Sequence, residues 1–212
     1  MKTETIIRYL SSINLIKTLY FNFKYFDFKT ACKLPVFINY GVKFLSLKGR
    51  IILESNATPG LIVFSKRCSL DFNGKVTFGG KARFGPGTHI YVGNNGVLSF
   101  GNDFWLTKNV EINCKKEIVF GNNCLLSWNI NILDTDFHFI QQDDNIINED
   151  ESIILKDNIW IGCEVVILKG TTICSDIIIG AGSLLNKHYN ESNCIYAGNP
   201  VKVVKKNVSW KH

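Results

Sequence analysis

His138 is the residue best placed in this chain for acid–base chemistry. It stands four residues after Asp134 and two after Asp136, in a polar, acidic run that continues through Gln141, Asp143 and Asp144 to Ser152. An imidazole can take up a proton near neutral pH, and a neighbouring carboxylate can fix its tautomer. Seven cysteines are the other reactive groups. They show no paired spacing and no signal peptide precedes them, which reads as reduced thiols in a cytosolic protein. Cys114, Cys124, Cys163 and Cys174 fall among apolar repeats, where a cysteine serves as a small buried hydrophobe. A zinc site needs histidines converging from neighbouring faces, whereas His89, His138 and His188 are about fifty residues apart. No metal is expected.

A loop histidine needs a rigid frame, and residues 155–185 describe one: LKDNIW IGCEVV ILKGTT ICSDII IGAGSL L. Every sixth position is aliphatic (Leu155, Ile161, Ile167, Ile173, Ile179, Leu185), and the fifth positions of the blocks are Ile159, Val165, Thr171, Ile177 and Ser183. Helix residues six apart point to opposite faces, and a straight strand alternates every two, so neither gives this period. A short strand plus a tight corner does. Three such units close a triangular coil, and stacked coils bring the aliphatic positions into one apolar column. Upstream, an apolar residue followed by a corner recurs at Phe78-Gly79, Phe100-Gly101, Phe120-Gly121 and Leu155-Lys156, at intervals of 22, 20 and 35 residues. The longest interval contains a large insertion, and that insertion is the run holding His138. The six-residue phase passes through Leu98, Phe104 and Val110, then Ile112, Ile118, Cys124 and Ile130, which predicts one irregular corner between Val110 and Ile112. The expected fold is all-β, a stacked parallel coil over 41–205 with a functional loop at 134–154 and a short tail at 206–212.

Composition agrees: 212 residues, 46% hydrophobic and 20% charged, suit one sizeable β-rich domain. No apolar run reaches the ~18 residues of a membrane span. Residues 1–40 read as a separate arm. Ile6, Leu10, Ile13 and Ile16 predict an amphipathic helix over 4–19, and Phe21, Phe23 and Tyr25, alternating with Asn22 and Lys24, predict an extended piece. Lys2, Arg8, Lys17, Lys24, Lys29 and Lys33 face only Glu4 and Asp27 in this arm. Basic plus aromatic composition suits contact with an anionic membrane surface, and an apolar arm also suits capping of the open end of the stack. No nucleic-acid partner is expected.

Three segments, Trp160-Ile161-Gly162, Ile179-Gly180-Ala181-Gly182-Ser183 and Ala197-Gly198-Asn199-Pro200, resemble the hexapeptide-repeat acyltransferases with a left-handed β-helix. The likeness is to the sugar O-acetyltransferases of capsule and lipopolysaccharide biosynthesis and to the galactoside and maltose acetyltransferases. Asp136-Phe137-His138-Phe139-Ile140 resembles their catalytic loop, and the Thr18–Phe23 stretch resembles the arm of capsular acetyltransferases. The left hand of the coil comes from this resemblance alone, since parallel crossovers are ordinarily right-handed.

The resemblance implies a cytoplasmic homotrimer, peripheral at the inner membrane face if the arm touches lipid, with active sites between neighbouring coils. It implies acetyl-CoA as co-substrate and His138 as general base in direct transfer to a sugar, nucleotide-sugar or oligosaccharide hydroxyl, with Asp136 beside it. The Cys163 N–H would face the oxyanion, and Trp160 and Gly162 would line the pocket. Gly180, Ala181 and Gly182 would border the pantetheine arm, followed by Asn186 and Lys187, with Pro200, Lys202 and Lys205 at the adenine and phosphate end. Asp134, Asp136, Trp128 and Asn129 are the expected acceptor contacts. The chain departs from the family's pattern at Phe139, where proline is frequent, at Ile177, at Lys156 and Cys174 in place of corner glycines, and at His188. The rival readings are an N-acetyltransferase acting on a nucleotide-linked amino sugar and a non-catalytic β-helix scaffold. The scaffold needs neither a loop histidine nor the Ala-Gly-Asn-Pro tail. A γ-type carbonic anhydrase lacks its zinc histidines here, a serine acetyltransferase its helical N-terminal domain, and Cys163 as nucleophile has no activating neighbour in the sequence.

Overall fold

A computed structural model describes residues 11–211. The chain winds a left-handed parallel β-solenoid of about 7 turns and is only 8% helical. Strand register measures the coils directly. Ala82 pairs with Phe104, Leu106 with Leu126, Cys124 with Ile159, and Ile159 with Ile177, so successive coils are 22, 20, 35 and 18 residues long. The long one contains the histidine loop.

Each strand sends two residues inward, two positions apart, and these build the core. In the N-terminal coils the column is aromatic. Phe78, Phe100 and Phe120 stack with centroids 5.4 Å apart at each step and nearly parallel rings. From Ile153 onward it is aliphatic, through Leu155, Ile161, Ile167, Ile173, Ile179 and Leu185, all buried. Val110 and Ile112 are both buried on one strand, Phe104–Cys114. They are consecutive inward positions just past the Asn109 corner, so no corner separates them. The extra residues sit instead at 115–116, before the strand Glu117–Phe120. A jump between the two inward tracks looks like a phase slip in sequence, which explains the difference.

Corners form columns too. Arg67, Gly87, Asn109, Asn129, Glu164 and Gly182 occupy one corner on successive coils, all in the left-handed region with φ between 49° and 77°. A second corner stacks Asp103, Asn123, Asn158, Asp176 and Asn193, with side-chain amides bonded along the axis, Asn123 Nδ2 to Asn158 Oδ1 at 2.7 Å and Asn158 Nδ2 to Asp176 Oδ1 at 2.6 Å. Asparagine and aspartate tolerate this conformation and satisfy their own amides in it.

Both ends of the stack are closed. At the first coil, helix α1 (Leu15–Tyr25) follows an Asn14 cap, and a short helix α2 (Phe28–Ala31) follows an Asp27 cap. Residues 4–10 of the predicted 4–19 helix lie outside the described residues, 15–19 are helical, and residues 21–25 are helical rather than extended. Phe21 and Tyr25, one turn apart, pack with centroids at 4.9 Å, so their alternation is a helix face read at the wrong period. Asn22 and Thr18 supply the reason for this placement. Asn22 Oδ1 accepts the Val36 N–H at 3.1 Å, its Nδ2 donates to the Val36 carbonyl at 2.7 Å, and Thr18 Oγ1 accepts the Ile38 N–H at 3.0 Å. These side chains satisfy the open edge of strand Val36–Ile38, which already pairs with Ile62–Phe64 and places the start of the solenoid before residue 41. At the other end, Val201–Lys206 folds back antiparallel on Cys194–Gly198.

Candidate active site

The histidine loop leaves after strand Cys124–Leu133 and returns at Ile153–Leu155. Asp134 anchors it. This residue is fully buried, and its two carboxylate oxygens accept the Lys115 and Lys116 N–H groups at 2.7 and 2.8 Å. The extra corner at 115–116 and the loop base are therefore one structure, closed by Glu151 N–H on the Asp134 carbonyl at 3.1 Å. Burial raises the Asp134 pKa, opposed by the N–H donors around it. Expected as an acceptor contact, Asp134 is turned inward and fully engaged by backbone.

Asp136 is exposed but engaged. Its Oδ2 accepts from Lys169 Nζ at 2.7 Å and from Asn148 Nδ2 at 2.8 Å. The ammonium first, then the amide, hold its carboxyl below the usual carboxylate range. Asn148 Nδ2 also donates to the His138 carbonyl at 2.9 Å, and Asn148 Oδ1 accepts the Ile140 N–H at 2.6 Å. Asp136 thus steers His138 through the loop backbone, since its Oδ2 goes to Lys169 and Asn148 rather than to the imidazole. The His138 side chain projects into solvent. Phe137 bends the chain beside it with φ of 61°, and its ring packs 6.2 Å from Tyr91.

The second cluster forms at the left-handed corner of the regular coils. The Cys163 carbonyl accepts the Gly182 N–H at 2.9 Å. Ser183 Oγ donates to the Gly180 carbonyl at 2.6 Å and accepts the Gly198 N–H at 3.1 Å, tying the corner to the Ala-Gly-Asn-Pro turn. The glycines here have different causes. A Cβ on Gly162 would lie 2.7 Å from the Ala181 nitrogen, and one on Gly180 would lie 2.7 Å from the Ala197 Cβ, so packing between coils demands both. A Cβ on Gly182 meets nothing within 4 Å. Other coils carry Arg67, Asn109, Asn129 or Glu164 at that position. The coil can accept a side chain at 182, and the glycine leaves open surface at an exposed corner beside Ala181.

Trp160 is 39% exposed, with its Nε1 on Ser127 Oγ at 3.4 Å. Trp210 folds back onto it, ring centroids 6.3 Å apart, fixed by its own Nε1 on the Asn158 carbonyl at 3.1 Å. In the sequence Trp210 is marked only as an aromatic in a basic tail. Lys202 and Lys205 are exposed on the closing hairpin, opposite Ala197 and Ile195, with Pro200 at its turn. Asn186 and Lys187 are at a different corner from Ala181 and Gly182, across the strand Leu184–Leu185, where they share a cleft with Asp136, Lys169 and His188. Trp128 and Asn129 are exposed at the left-handed corner one coil before Cys163 and Glu164, with Lys108 Nζ 5.9 Å from the Trp128 ring.

One face of the solenoid therefore carries the histidine loop at one edge and the Cys163–Gly182 corner at the other. No sequence-family profile matches the chain. It is 25% identical over 196 residues to an uncharacterized 24.8 kDa protein in the cps region of Klebsiella pneumoniae, spanning 90% of this chain and 87% of that one. It is 29% identical over 142 residues to the galactoside O-acetyltransferase of Escherichia coli K12, spanning 66% and 68%. Among solved structures, the polysialic acid O-acetyltransferase OatWY superposes with a TM-score of 0.58 at 25% identity, over 81% of this chain and 88% of that one. Repeat, fold and relatives agree: the chain is an acyltransferase built on a parallel β-solenoid, consistent with the hexapeptide-repeat acetyltransferases.

Proposed function

We propose that this protein transfers an acetyl group from acetyl-CoA to a sugar hydroxyl in surface-polysaccharide biosynthesis. The observation that carries the reading is the shared face: an exposed loop histidine at one edge and an unobstructed glycine corner at the other. His138 takes the proton of the acceptor hydroxyl as its oxygen attacks the thioester carbonyl. The tetrahedral oxyanion is met by the Cys163 N–H, and the thiolate of CoA leaves with the proton returned from the imidazolium, so no acyl-enzyme forms. The pantetheine arm runs past Ala181 and Gly182, and Lys202 and Lys205 meet the phosphates. Lys187, at the far edge of the face, belongs with the loop cleft. Loop and corner lie a full strand apart in one chain, which supports a homotrimer in which the groove between copies completes each site.

Helix α1 supports contact with an anionic membrane surface in addition to its capping role. Leu15, Ile16, Leu19, Tyr20 and Phe23 are exposed on its outer side with Phe28 beside them, Ile16 at 82% and Phe28 at 76%. Lys24, Lys29 and Lys33 are exposed in the same arm, whereas Lys17 is half-buried and donates to the Val42 carbonyl. No helix among the described residues is long and apolar enough to cross a membrane.

Incubation with acetyl-CoA and a panel of sugars, nucleotide sugars and oligosaccharides, read by mass, tests the function. O-acetylated sugar is the expected product. Acetylation confined to amino groups, or none, contradicts the reading.

A further inference from the structure

The face that leads from the left-handed corner to the histidine loop is polar over the coils that precede Cys163, and the transfer step uses none of these groups. Strand register sets Ser69, His89, Glu111 and Asn131 side by side on four successive coils. A second row, Gly87, Asn109 and Asn129, follows the corner, and a groove runs between the two rows. The alternate residues on these strands, Leu70, Ile90, Ile112 and Ile132, are buried in the core, so the outward groups ride on rigid rungs. Several are held in place. Ser69 Oγ lies 2.5 Å from His89 Nδ1, and Asn109 Nδ2 donates to Asn129 Oδ1 at 3.3 Å. The groove also opens toward the proposed base. Tyr91, two residues beyond His89 on the same strand, packs against Phe137, which precedes His138.

Length and chemistry narrow the ligand. Ser69 is buried and supports His89, so the groove is lined on three coils; with neighbouring strands ~4.8 Å apart, His89, Glu111 and Asn131 span about 10 Å, longer than a single pyranose ring. Imidazole, amides and one carboxylate offer mixed donors and acceptors to hydroxyl groups. Glu111 in the middle of the row repels phosphate and polyanionic chains. We propose that this groove holds the acceptor as an extended, neutral oligosaccharide several sugar units long, with Glu111 and Asn131 as specificity-determining contacts. The proposal rests on the reading of the protein as a sugar acetyltransferase.

The test compares wild type with the Glu111→Ala/Asn131→Ala double variant. Acceptors are glucose-, galactose- and N-acetylglucosamine-based mono- to hexasaccharides, with oligosialic acid as an anionic arm. Wild type is expected to gain at least about tenfold in kcat/KM from monosaccharide to hexasaccharide. The variant is expected to lose that gain while its KM for acetyl-CoA and its mass by light scattering stay unchanged. A flat length dependence in wild type, a variant that keeps the gain, or a preference for oligosialic acid overturns the groove and leaves acetyl transfer standing. A variant whose assembly changes assigns the face to contact between copies and overturns it equally. Absence of transfer to every sugar, monosaccharides included, overturns the underlying reading and the groove with it.

Discussion

Arg67, Gly87, Asn109, Asn129 and Glu164 hold the same left-handed corner that Gly182 holds, and this comparison isolates what the glycine is for. Glycine at Gly162 and Gly180 follows from coil packing, but the space beside Gly182 is open. Gly182→Asn should therefore fold with an unchanged thermal midpoint, as asparagine already serves two coils, while on the proposed CoA path its side chain would obstruct the pantetheine arm. Steady-state kinetics are expected to show KM for acetyl-CoA raised about tenfold, or about 1.4 kcal/mol of binding. Asp136 makes a second residue-scale claim. Its carboxyl is held low by Lys169 and Asn148, so its contribution to loop order is present above the ordinary carboxylate range and is lost as pH falls through the depressed folded value. Asp136→Asn at neutral pH reproduces part of that loss, and limited proteolysis should cut 134–152 faster in the variant than in wild type. Equal cutting rates would show that the ion pair does not order the loop.

At the scale of elements, the coils were legible because inward residues recur at a fixed period: the intervals of 22, 20 and 35 residues reappear in strand register. What sequence could not show was contact between distant corners. Asp134 looked like a site carboxylate because its neighbours are Asp136 and His138, yet its ligands are N–H groups of residues 115 and 116, nineteen and eighteen positions upstream. The arm is ambiguous in sequence for a related reason, since Phe21 and Tyr25 satisfy both a two-residue and a four-residue spacing. Only the pairing of Asn22 with Val36 distinguishes helix from strand there. The helix now separates two roles by face, Phe21 inward and Ile16 and Phe23 outward. Ile16→Glu with Phe23→Glu should leave the fold intact and reduce sedimentation with phosphatidylglycerol vesicles by at least about tenfold. Unchanged sedimentation would assign the arm to capping alone.

Over the whole molecule, an aromatic N-terminal stack supports a polar groove and an aliphatic C-terminal stack supports the glycine corner, with the histidine loop inserted where the two meet. On the proposed reading, the acceptor and CoA would lie in order along the solenoid axis, acceptor before CoA. The fold and the class of enzyme were readable from the period and the motifs. The division of labour between Asp134, Asp136 and the two kinds of glycine was not, because it depends on which backbone groups stacking leaves unpaired. The central claim is that His138 is the base, and single-turnover acetyl transfer by His138→Ala measures it directly. The variant is expected to keep the assembly and CoA binding of wild type and to lose on the order of 10²-fold or more in rate. Transfer near the wild-type rate from an intact, CoA-binding variant would contradict it.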